Sequence, residues 1–223
     1  MSINTILLDL DDTVYPSNSG LWEAIGERIN QFMIERVHIS TESVLELRER
    51  LYHQYGTTMR GLAAEYQIDI YDYLAYVHDV PLKNYIQPDP ALRQALLGLP
   101  YRPVIFTNAD TAHARRVLSI IGIDDLVSNI IDILAVSPYC KPQEGAFKKA
   151  LALVGEVDPH RVAFFDDNIN NLKAARQMGF FTIRVGKRQY QPEYHSSIKM
   201  LRDIHQVFNP LSRELNTWQP ELF

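Results

Sequence analysis

Three carboxylates follow the first apolar segment of the chain within four positions. Residues 6–8 read Ile-Leu-Leu, and Asp9, Asp11 and Asp12 come directly after them. The simplest interpretation is a buried strand that ends in a solvated acidic turn, because short motifs often match by chance. The rest of the chain decides between such a turn and a site that uses several carboxylates together.

A second acidic pair, Asp166 and Asp167, follows the apolar segment VAFF at 162–165. Functional groups of α/β proteins gather at the carboxyl ends of the strands, so Asp9 and Asp11 would meet this pair there. Two unit charges about 6 Å apart repel by roughly 3 kcal/mol at an effective dielectric constant of 20. Protonation of some members or a bound cation must offset this repulsion, and an all-oxygen set suits Mg²⁺, which also accepts phosphate oxygens. The pattern predicts a metal-assisted phosphoryl site.

Thr107, Asn108 and Lys141 are candidates to hold the oxygens of a transferring phosphoryl group. Thr107 and Asn108 end another apolar segment and offer a hydroxyl, an amide and backbone N–H groups. Lys141 precedes a proline that begins a predicted helix, so its ammonium could be held at the edge of the sheet. Each has a second interpretation, since Thr107 could cap the helix that follows and a lysine in a loop is usually solvated.

Short apolar segments that end in polar clusters predict the sheet that positions these residues. The segments at 5–8, 104–107 and 162–165 are apolar, as in buried parallel strands, and helical patterns follow the second and third of them. This alternation predicts an α/β fold with a Rossmann-like, doubly wound parallel sheet. The four predicted strands are residues 5–8, 104–107, 162–165 and 181–185.

A helical pattern of different character separates the first two predicted strands. Residues 20–37 and 41–56 carry apolar side chains at helical spacing, starting with Trp22, as in amphipathic helices. The segments RGLAAEYQI and DYLAYVHDV predict two more helices, and QPDP at 87–90 closes the region with turn residues.

The pattern divides the chain into two parts. We predict an α/β core of residues 1–16 and 89–223 and an inserted helical-bundle cap of residues 17–88. Within the core, GKRQYQPEYHSS after Val185 predicts a polar loop, and IKMLRDIHQVF predicts a final helix.

The composition and charge of the chain limit the kinds of partner that we expect. Hydrophobic residues make up 46% of the 223 residues and charged residues 22%, as in ordinary globular proteins. The formal net charge of −5 gives no basic excess for nucleic acid, and no apolar segment reaches the length of a membrane span. The single cysteine, Cys140, allows no disulfide within the chain, and we interpret it as a buried or spectator thiol. The N-terminal residues lack the basic region of a signal peptide, so we expect a cytoplasmic protein.

Four short motifs occur in an order that is typical of one superfamily. LDLDDT resembles the DxDxT motif of the haloacid dehalogenase (HAD) superfamily, and IFTN, CKP and FFDDNINN resemble its second, third and fourth motifs. The motifs extend from residue 7 to residue 171, and the predicted inserted helices lie where this superfamily has its helical cap. The resemblance covers most of the chain and implies the HAD fold.

The resemblance implies the catalytic roles. Asp9 would be the nucleophile that attacks phosphorus and forms an aspartyl-phosphate. Asp11 would be the general acid for the leaving oxygen and then the general base for water. Asp12 stands where many relatives have glycine, and we assign it no catalytic role.

The resemblance also implies the binding groups. Mg²⁺ would bind the Asp9 carboxylate, the Asp11 backbone carbonyl and Asp167, with Asp166 beside them; whether Mg²⁺ or Mn²⁺ serves in the cell stays open. The phosphate oxygens would be held by Thr107 and Lys141, with help from Asn108.

The expected function is phosphate-ester hydrolysis, because a second carboxylate at Asp11 suits a phosphatase and is not part of the dehalogenase pattern. YGTTMRGLAAEY, KPQEGAF and FFDDNINN resemble the pyrimidine 5'-nucleotidase branch, which acts on UMP and CMP. The expected partner is thus a small phosphorylated metabolite, a pyrimidine nucleotide or else a sugar phosphate or phosphoglycolate. His53, Thr57, Thr58 and Arg60 are candidates to face the nucleoside, although His53 and Arg60 could equally be solvated.

Two non-enzymatic interpretations stay open from the sequence alone. A response-regulator receiver also places acids, a Thr or Ser and a Lys around Mg²⁺, but its lysine follows the last strand and it has no cap. A catalytically silent scaffold of the same fold is the other, and the intact set of acids and Lys141 argues against it. The sequence leaves the oligomeric state and the role of residues 187–223 undetermined.

Overall fold

Six parallel strands form one sheet in the computed structural model, which describes residues 3–186 and 191–208. The strands are β1 (Thr5–Leu8), β2 (Val104–Phe106), β3 (Asn129–Ile131), β4 (Val162–Asp166), β5 (Phe181–Val185) and β6 (Ser196–Ile198). Their order across the sheet is β3-β2-β1-β4-β5-β6. Leu8 of β1 lies beside Ile105 of β2 and Phe165 of β4, and the backbone N–H of Asp9 donates to the Phe165 carbonyl (2.8 Å). The segments that carry Asp9 and Asp166 therefore leave the sheet side by side.

Helices cover both faces of the sheet. In the described part of the chain they are α1 (Leu21–Glu35), α2 (Val44–Tyr55), α3 (Thr58–Tyr66), α4 (Ile70–Val77), α5 (Pro90–Leu97), α6 (Thr111–Ile121), α7 (Glu144–Val154), α8 (Ile169–Gln177) and α9 (His205–Phe208). Leu7 packs into one buried cluster with side chains of α7 and α8, whereas Ile6 and Leu8 pack into another with side chains of α5 and α6. Successive strand residues point to opposite faces, so a strand buried on both faces must be apolar throughout. The prediction of a doubly wound parallel α/β sheet is confirmed.

The first four helices lie between β1 and α5 in the chain, and they pack against one another. Phe32 of α1 meets Tyr73 of α4 edge to face, with ring centroids 5.0 Å apart. Gly61 of α3 lies so close to α2 that an added Cβ would come within 2.7 Å of Leu51. We call α1–α4 the cap helices, and we propose that they form the unit predicted for residues 17–88.

The C-terminal part of the predicted core differs from the sequence prediction. Ser196 and Ser197, expected in a polar loop, and Ile198, expected at the start of the final helix, form β6, which pairs in parallel with β5. The predicted final helix is reduced to His205–Phe208. Its expected docking residues are nevertheless buried, since Ile198, Leu201 and Ile204 all pack into the core. Residues 1, 2, 187–190 and 209–223 of the predicted core lie outside the described residues.

Two further elements were not predicted. A turn was expected at residues 87–90, but helix α5 begins at Pro90. The Asp89 side chain caps this helix by accepting a hydrogen bond from the Leu92 N–H (2.9 Å), and proline is favoured in a first helical turn. Strand β3 has only three residues and an exposed first position, so it lacks the continuous apolar pattern of the inner strands.

Candidate functional site

A buried lysine joins the two acidic segments at the carboxyl edge of the sheet. Lys141 Nζ donates to Asp9 Oδ1 (2.6 Å) and to Asp166 Oδ2 (2.9 Å), and only 1% of the residue is exposed. Burial opposes the charged form of Lys141, but the carboxylates of Asp166 and Asp9 outweigh it and raise the lysine pKa. Lys141 is therefore a fixed cation beside Asp9 and not a solvated loop residue.

Asn108 holds the backbone of this lysine. The backbone N–H of Lys141 donates to Asn108 Oδ1 (2.9 Å), and Asn108 Nδ2 donates to the Lys141 carbonyl (3.0 Å). The loop after β2 thus fixes the loop that carries Lys141. The sequence predicted both residues for the site but not their mutual contact.

Asp166 is held by hydrogen bonds on both carboxylate oxygens. Oδ1 accepts from the backbone N–H of Asn168 (2.7 Å), and Asn171 Nδ2 lies 3.0 Å from Oδ2. With Lys141 also bonded, the fully buried Asp166 has little freedom to move. Asn171 was missed by the sequence analysis, although its place in the FFDDNINN motif, one turn into α8, was a usable signal.

Asp9, Asp166 and Asp167 form a cluster whose chemistry fits a hard cation. One carboxylate oxygen of each residue lies within 4.8 Å of the others. Burial and then the Asp166 charge raise the pKa of Asp9, and the same two causes raise the pKa of Asp167 to about 7. Burial and mutual repulsion thus both oppose the charged forms of these carboxylates, and a bound cation would offset the repulsion; oxygen ligands of this kind suit Mg²⁺.

Asp12 lies against the same cluster. Its φ angle is 58°, its Oδ1 is buried without a hydrogen-bond partner in the described residues, and burial followed by Asp167 raises its pKa to about 7. Asp12 therefore adds to the uncompensated acidity of the site. Nothing in its geometry assigns it a catalytic role, so that interpretation stays as predicted.

Two donors hold the side chain of Asp11. Its Oδ1 accepts hydrogen bonds from the Tyr15 hydroxyl (2.7 Å) and from His113 Nε2 (3.1 Å). Burial raises the pKa of Asp11, but His113 and Tyr15 outweigh it and the net shift is downward. His113 was missed by the sequence analysis, although it lies on the buried face of α6 with Val117 and Ile121, where a polar side chain is unexpected.

Thr107 lies at the base of the same site. It is 1% exposed, and its Oγ1 accepts a hydrogen bond from the Ala109 N–H (2.9 Å). The alternative interpretation of Thr107 as a helix cap is wrong, because Asp110 caps α6 through the His113 N–H (2.7 Å). The hydroxyl proton of Thr107 is left to donate elsewhere.

A cavity of about 580 Å³ separates these residues from the cap helices. All six predicted site residues, Asp9, Asp11, Thr107, Asn108, Lys141 and Asp167, line it. The opposite wall comes from the cap helices and includes Trp22, Arg48, Tyr52 and Tyr73. The helical spacing placed Trp22 on the apolar face of α1, but 46% of it is exposed and it borders the cavity. The cavity therefore combines an acidic end with an aromatic wall.

The four predicted nucleoside contacts separate into two pairs. Thr57 and Thr58 line the cavity, whereas His53 and Arg60 do not. His53 is an exposed partner of Glu49. Arg60 instead donates to the backbone carbonyls of Ile133 (2.9 Å) and Tyr139 (3.1 Å), so it fastens α3 to the core.

Cys140 is buried, as interpreted from the sequence. Its thiol donates to the Tyr55 carbonyl (3.4 Å), and an added Cβ at Gly56 would lie 2.8 Å from its sulfur. Gly56 has a φ of +85°, so the end of α2 approaches the Cys140 loop closely only because residue 56 has no side chain.

The described helices include none that is long and apolar enough to cross a membrane.

Residues 3–179 match a family model described as haloacid dehalogenase-like hydrolase. Phosphate metabolism protein 8 from Saccharomyces cerevisiae is 26% identical in an alignment of 236 positions, which covers 95% of this chain and 73% of that protein.

Solved structures of similar fold cover nearly the whole chain. YfnB from Bacillus subtilis, described as a HAD hydrolase and solved bound to magnesium, is 14% identical with a TM-score of 0.59, covering 94% of this chain and 100% of that one. L-2-haloacid dehalogenase from Xanthobacter autotrophicus, solved with chloropropionic acid covalently bound, is 16% identical with a TM-score of 0.59, covering 93% and 99%. At such low identity these two similarities show the fold alone.

Proposed function

Because the chain belongs to the haloacid dehalogenase-like hydrolase family, we propose that it is a Mg²⁺-dependent phosphomonoesterase that acts through an aspartyl-phosphate on Asp9. The observation that carries this proposal is the pairing of Lys141 with Asp9 in a cavity that also holds Asp11. A phosphate ester needs a nucleophile, a cation for its oxygens and a proton for its leaving group. The three side chains supply these functions from one wall of the cavity.

Asp9 attacks the phosphorus atom in the first step. A carboxylate oxygen of Asp9 forms the new P–O bond as the bond to the alkoxide leaving group breaks. Lys141, fixed by Asn108 and Asp166, presents positive charge to the phosphoryl oxygens, and the Thr107 hydroxyl donates to them. The product of this step is an aspartyl-phosphate and an alcohol.

Asp11 transfers the protons. As a protonated acid it gives its proton to the departing alkoxide, and as a carboxylate it then takes a proton from water. That water attacks the phosphorus of the aspartyl-phosphate, so inorganic phosphate leaves and the Asp9 carboxylate is restored. His113 and Tyr15 lower the pKa of Asp11, which favours the base form that the second step requires and opposes the acid form that the first step requires.

Mg²⁺ would be held by Asp9, the Asp11 backbone carbonyl and Asp167, next to the anchored Asp166. When bound, it supplies positive charge to the phosphoryl oxygens and offsets the repulsion between the carboxylates. The support for it is the raised pKa of Asp9 and Asp167 and the close oxygen cluster.

We propose a pyrimidine nucleoside 5'-monophosphate as the substrate. A cavity of about 580 Å³ is in the range that holds a nucleotide-sized ligand. Trp22 and Tyr52 offer aromatic faces for a base, and Thr57 and Thr58 offer hydroxyls. The relative named Phosphate metabolism protein 8 supports phosphate chemistry and leaves the nucleotide to experiment. A cytoplasmic location also stays a prediction.

Phosphate release across a panel of esters tests the proposal. The panel holds UMP, CMP, AMP, GMP, ribose 5-phosphate and phosphoglycolate, with 2-chloropropionate as a dehalogenase substrate and Asp9→Asn as the blank. We expect Mg²⁺-dependent turnover with the highest kcat/KM for UMP and CMP, and none in Asp9→Asn. Turnover of other esters alone would reject the pyrimidine assignment. Chloride release without phosphate release would reject the phosphatase.

A further inference from the structure

Both hydrogen bonds to the Asp11 side chain reach the same oxygen. Tyr15 and His113 donate to Oδ1, and no hydrogen bond within the described residues reaches Oδ2. Asp11 also lines the cavity. The carboxylate is thus turned so that one oxygen is held by the protein and the other is available to the substrate.

The ring of His113 is itself fixed on several sides. It stacks on the ring of His78 with centroids 4.2 Å apart and planes 20° apart. Asp110 contacts both histidines. One of its oxygens accepts from the backbone N–H of His113 (2.7 Å), and the other lies 3.1 Å from Nδ1 of the His78 ring. Arg116 in turn donates to the His78 and Val80 carbonyls, both at 2.9 Å.

The hydrogen-bond chemistry of His113 leaves one arrangement. The Asp11 oxygen accepts, so Nε2 must be the protonated nitrogen. The other nitrogen, Nδ1, is buried and has no partner in the described residues. The side chain has no exposed surface, so it contacts neither bulk solvent nor a substrate. Among the residues that the structure describes, the one hydrogen bond of its side chain is the bond to Asp11.

We propose that His113 is a positioning residue that, together with Tyr15, sets the orientation of the Asp11 carboxylate for proton transfer to the leaving group. This inference rests on the proposed phosphatase function. His78, at the end of α4, contributes to this positioning because its ring stacks on the ring of His113. Loss of the His113 bond would let the carboxylate rotate and would slow the step in which the leaving group needs a proton.

Two substitutions of similar size separate this role from a general structural one. In His113→Gln the side-chain amide nitrogen occupies nearly the place of Nε2 and can still donate to Asp11. In His113→Asn the amide nitrogen occupies the place of Nδ1 and cannot reach it. Tyr15→Phe removes the other donor and keeps the ring. Thermal unfolding of each variant shows whether the fold is retained.

The measurement compares two leaving groups. The parameter kcat/KM includes steps up to the first irreversible one, which here is loss of the alcohol. UMP, or the preferred alkyl phosphate of the panel, loses an alkoxide that needs the Asp11 proton, whereas p-nitrophenyl phosphate loses a phenolate that does not. We expect His113→Asn to reduce kcat/KM for the alkyl ester by about tenfold to a hundredfold, a fraction of what general acid catalysis contributes. The value for p-nitrophenyl phosphate should change little, and His113→Gln should restore most of the loss.

The other outcomes are distinct. An equal loss on both esters, no loss on either, or no difference between the Gln and Asn variants would overturn the positioning role. If Tyr15→Phe alone reproduced the leaving-group effect while His113→Asn did not, Tyr15 would be the only positioning donor and the proposal for His113 would fail. A wild-type protein that hydrolyses neither ester would instead reject the proposed function on which the inference depends.

Discussion

Lys141 is the residue whose removal we expect to damage the site most. In Lys141→Ala, the buried carboxylates of Asp9 and Asp166 lose their shared cation, and breaking such a buried pair typically costs about 3–5 kcal/mol. We therefore expect a loss of that size in the free energy of unfolding, together with loss of turnover. Urea denaturation, carried out without divalent cations, measures the loss of stability. Phosphate release measures the loss of turnover.

Lys148→Ala is the matched control for that substitution. Lys148 belongs to the helix that follows the Lys141 loop, and its partner Glu144 is also exposed. Solvent screens such a pair, so the control should match the wild type in stability and turnover. Equal stability of the two lysine variants would show that Lys141 is not the counter-ion that its distances indicate.

At the residue scale, the sequence was informative where a side chain follows a strand directly. Asp9, Thr107, Asn108 and Asp167 come within two positions of a strand end, so strand register alone brings them to one cavity. His113 and Tyr15 depend on how α6 and the segment after β1 pack in three dimensions, which a local pattern does not encode. Arg60 shows the converse, since a position near the Gly56 break predicted a substrate contact and the side chain binds core carbonyls instead.

At the element scale, Arg60 attaches α3 to the loop before Lys141. Its guanidinium donates to the Ile133 and Tyr139 carbonyls across the cap-to-core boundary. In Arg60→Ala those bonds are lost, so we expect faster amide hydrogen exchange in Thr58–Tyr66 than in the wild type. Arg50→Ala, which removes a partly exposed pair with Glu65, is the control and should leave that exchange rate nearer the wild-type value. Exchange at the wild-type rate in Arg60→Ala would mean that α3 does not depend on the Arg60 hydrogen bonds.

The contact between α2 and α3 gives a separate prediction. An alanine at Gly61 would place its Cβ 2.7 Å from both Cβ and Cδ2 of Leu51, which forces the helices apart. Overpacking of this kind costs about 1–3 kcal/mol, so Gly61→Ala should lower the free energy of unfolding by that amount. The exposed Ala64 on the same helix provides the comparison, and Ala64→Ser should cost less. Denaturant titration of both variants settles the order.

Strand and helix positions were predictable to different degrees. Strands β1 and β5 have the predicted bounds, because both segments are rich in apolar, β-branched and aromatic residues. β6 lies at the sheet edge with two half-buried serines, so its sequence resembles a loop. Its place is fixed by backbone pairing to β5, which a sequence pattern does not reveal.

At the scale of the whole molecule, His195 links stability to pH. Its Nδ1 accepts a hydrogen bond from the Thr182 backbone N–H (3.1 Å), so the neutral ring is the form that fits. Burial, then the charges of Arg176 and His160, lower the His195 pKa from its ordinary value of 6.5. The unfolded state therefore takes up the proton first, and the stabilising contribution declines as the pH falls below about 6.5 until the folded-state pKa is passed.

His195→Asn tests this linkage. The asparagine Oδ1 can occupy the place of Nδ1 and accept the same N–H, but it does not titrate. The difference in free energy of unfolding between the wild type and His195→Asn should shift in favour of the variant between pH 7.5 and pH 5. Parallel stability curves over that range would show that His195 carries no proton linkage.

The central place of β1 in the sheet also has a consequence during synthesis. Asp9 directly follows β1, but the two strands that neighbour β1 begin only at Val104 and Val162. At about 5–20 residues per second, a ribosome would complete β4 roughly 8–30 s after β1. Both edges of this apolar strand stay unpaired until β2 is made, one edge stays unpaired until β4 is made, and the cap helices can form before the sheet does. Asp9 is thus made well before the two strands that flank β1, and the cavity around it can assemble only after β4 has been made.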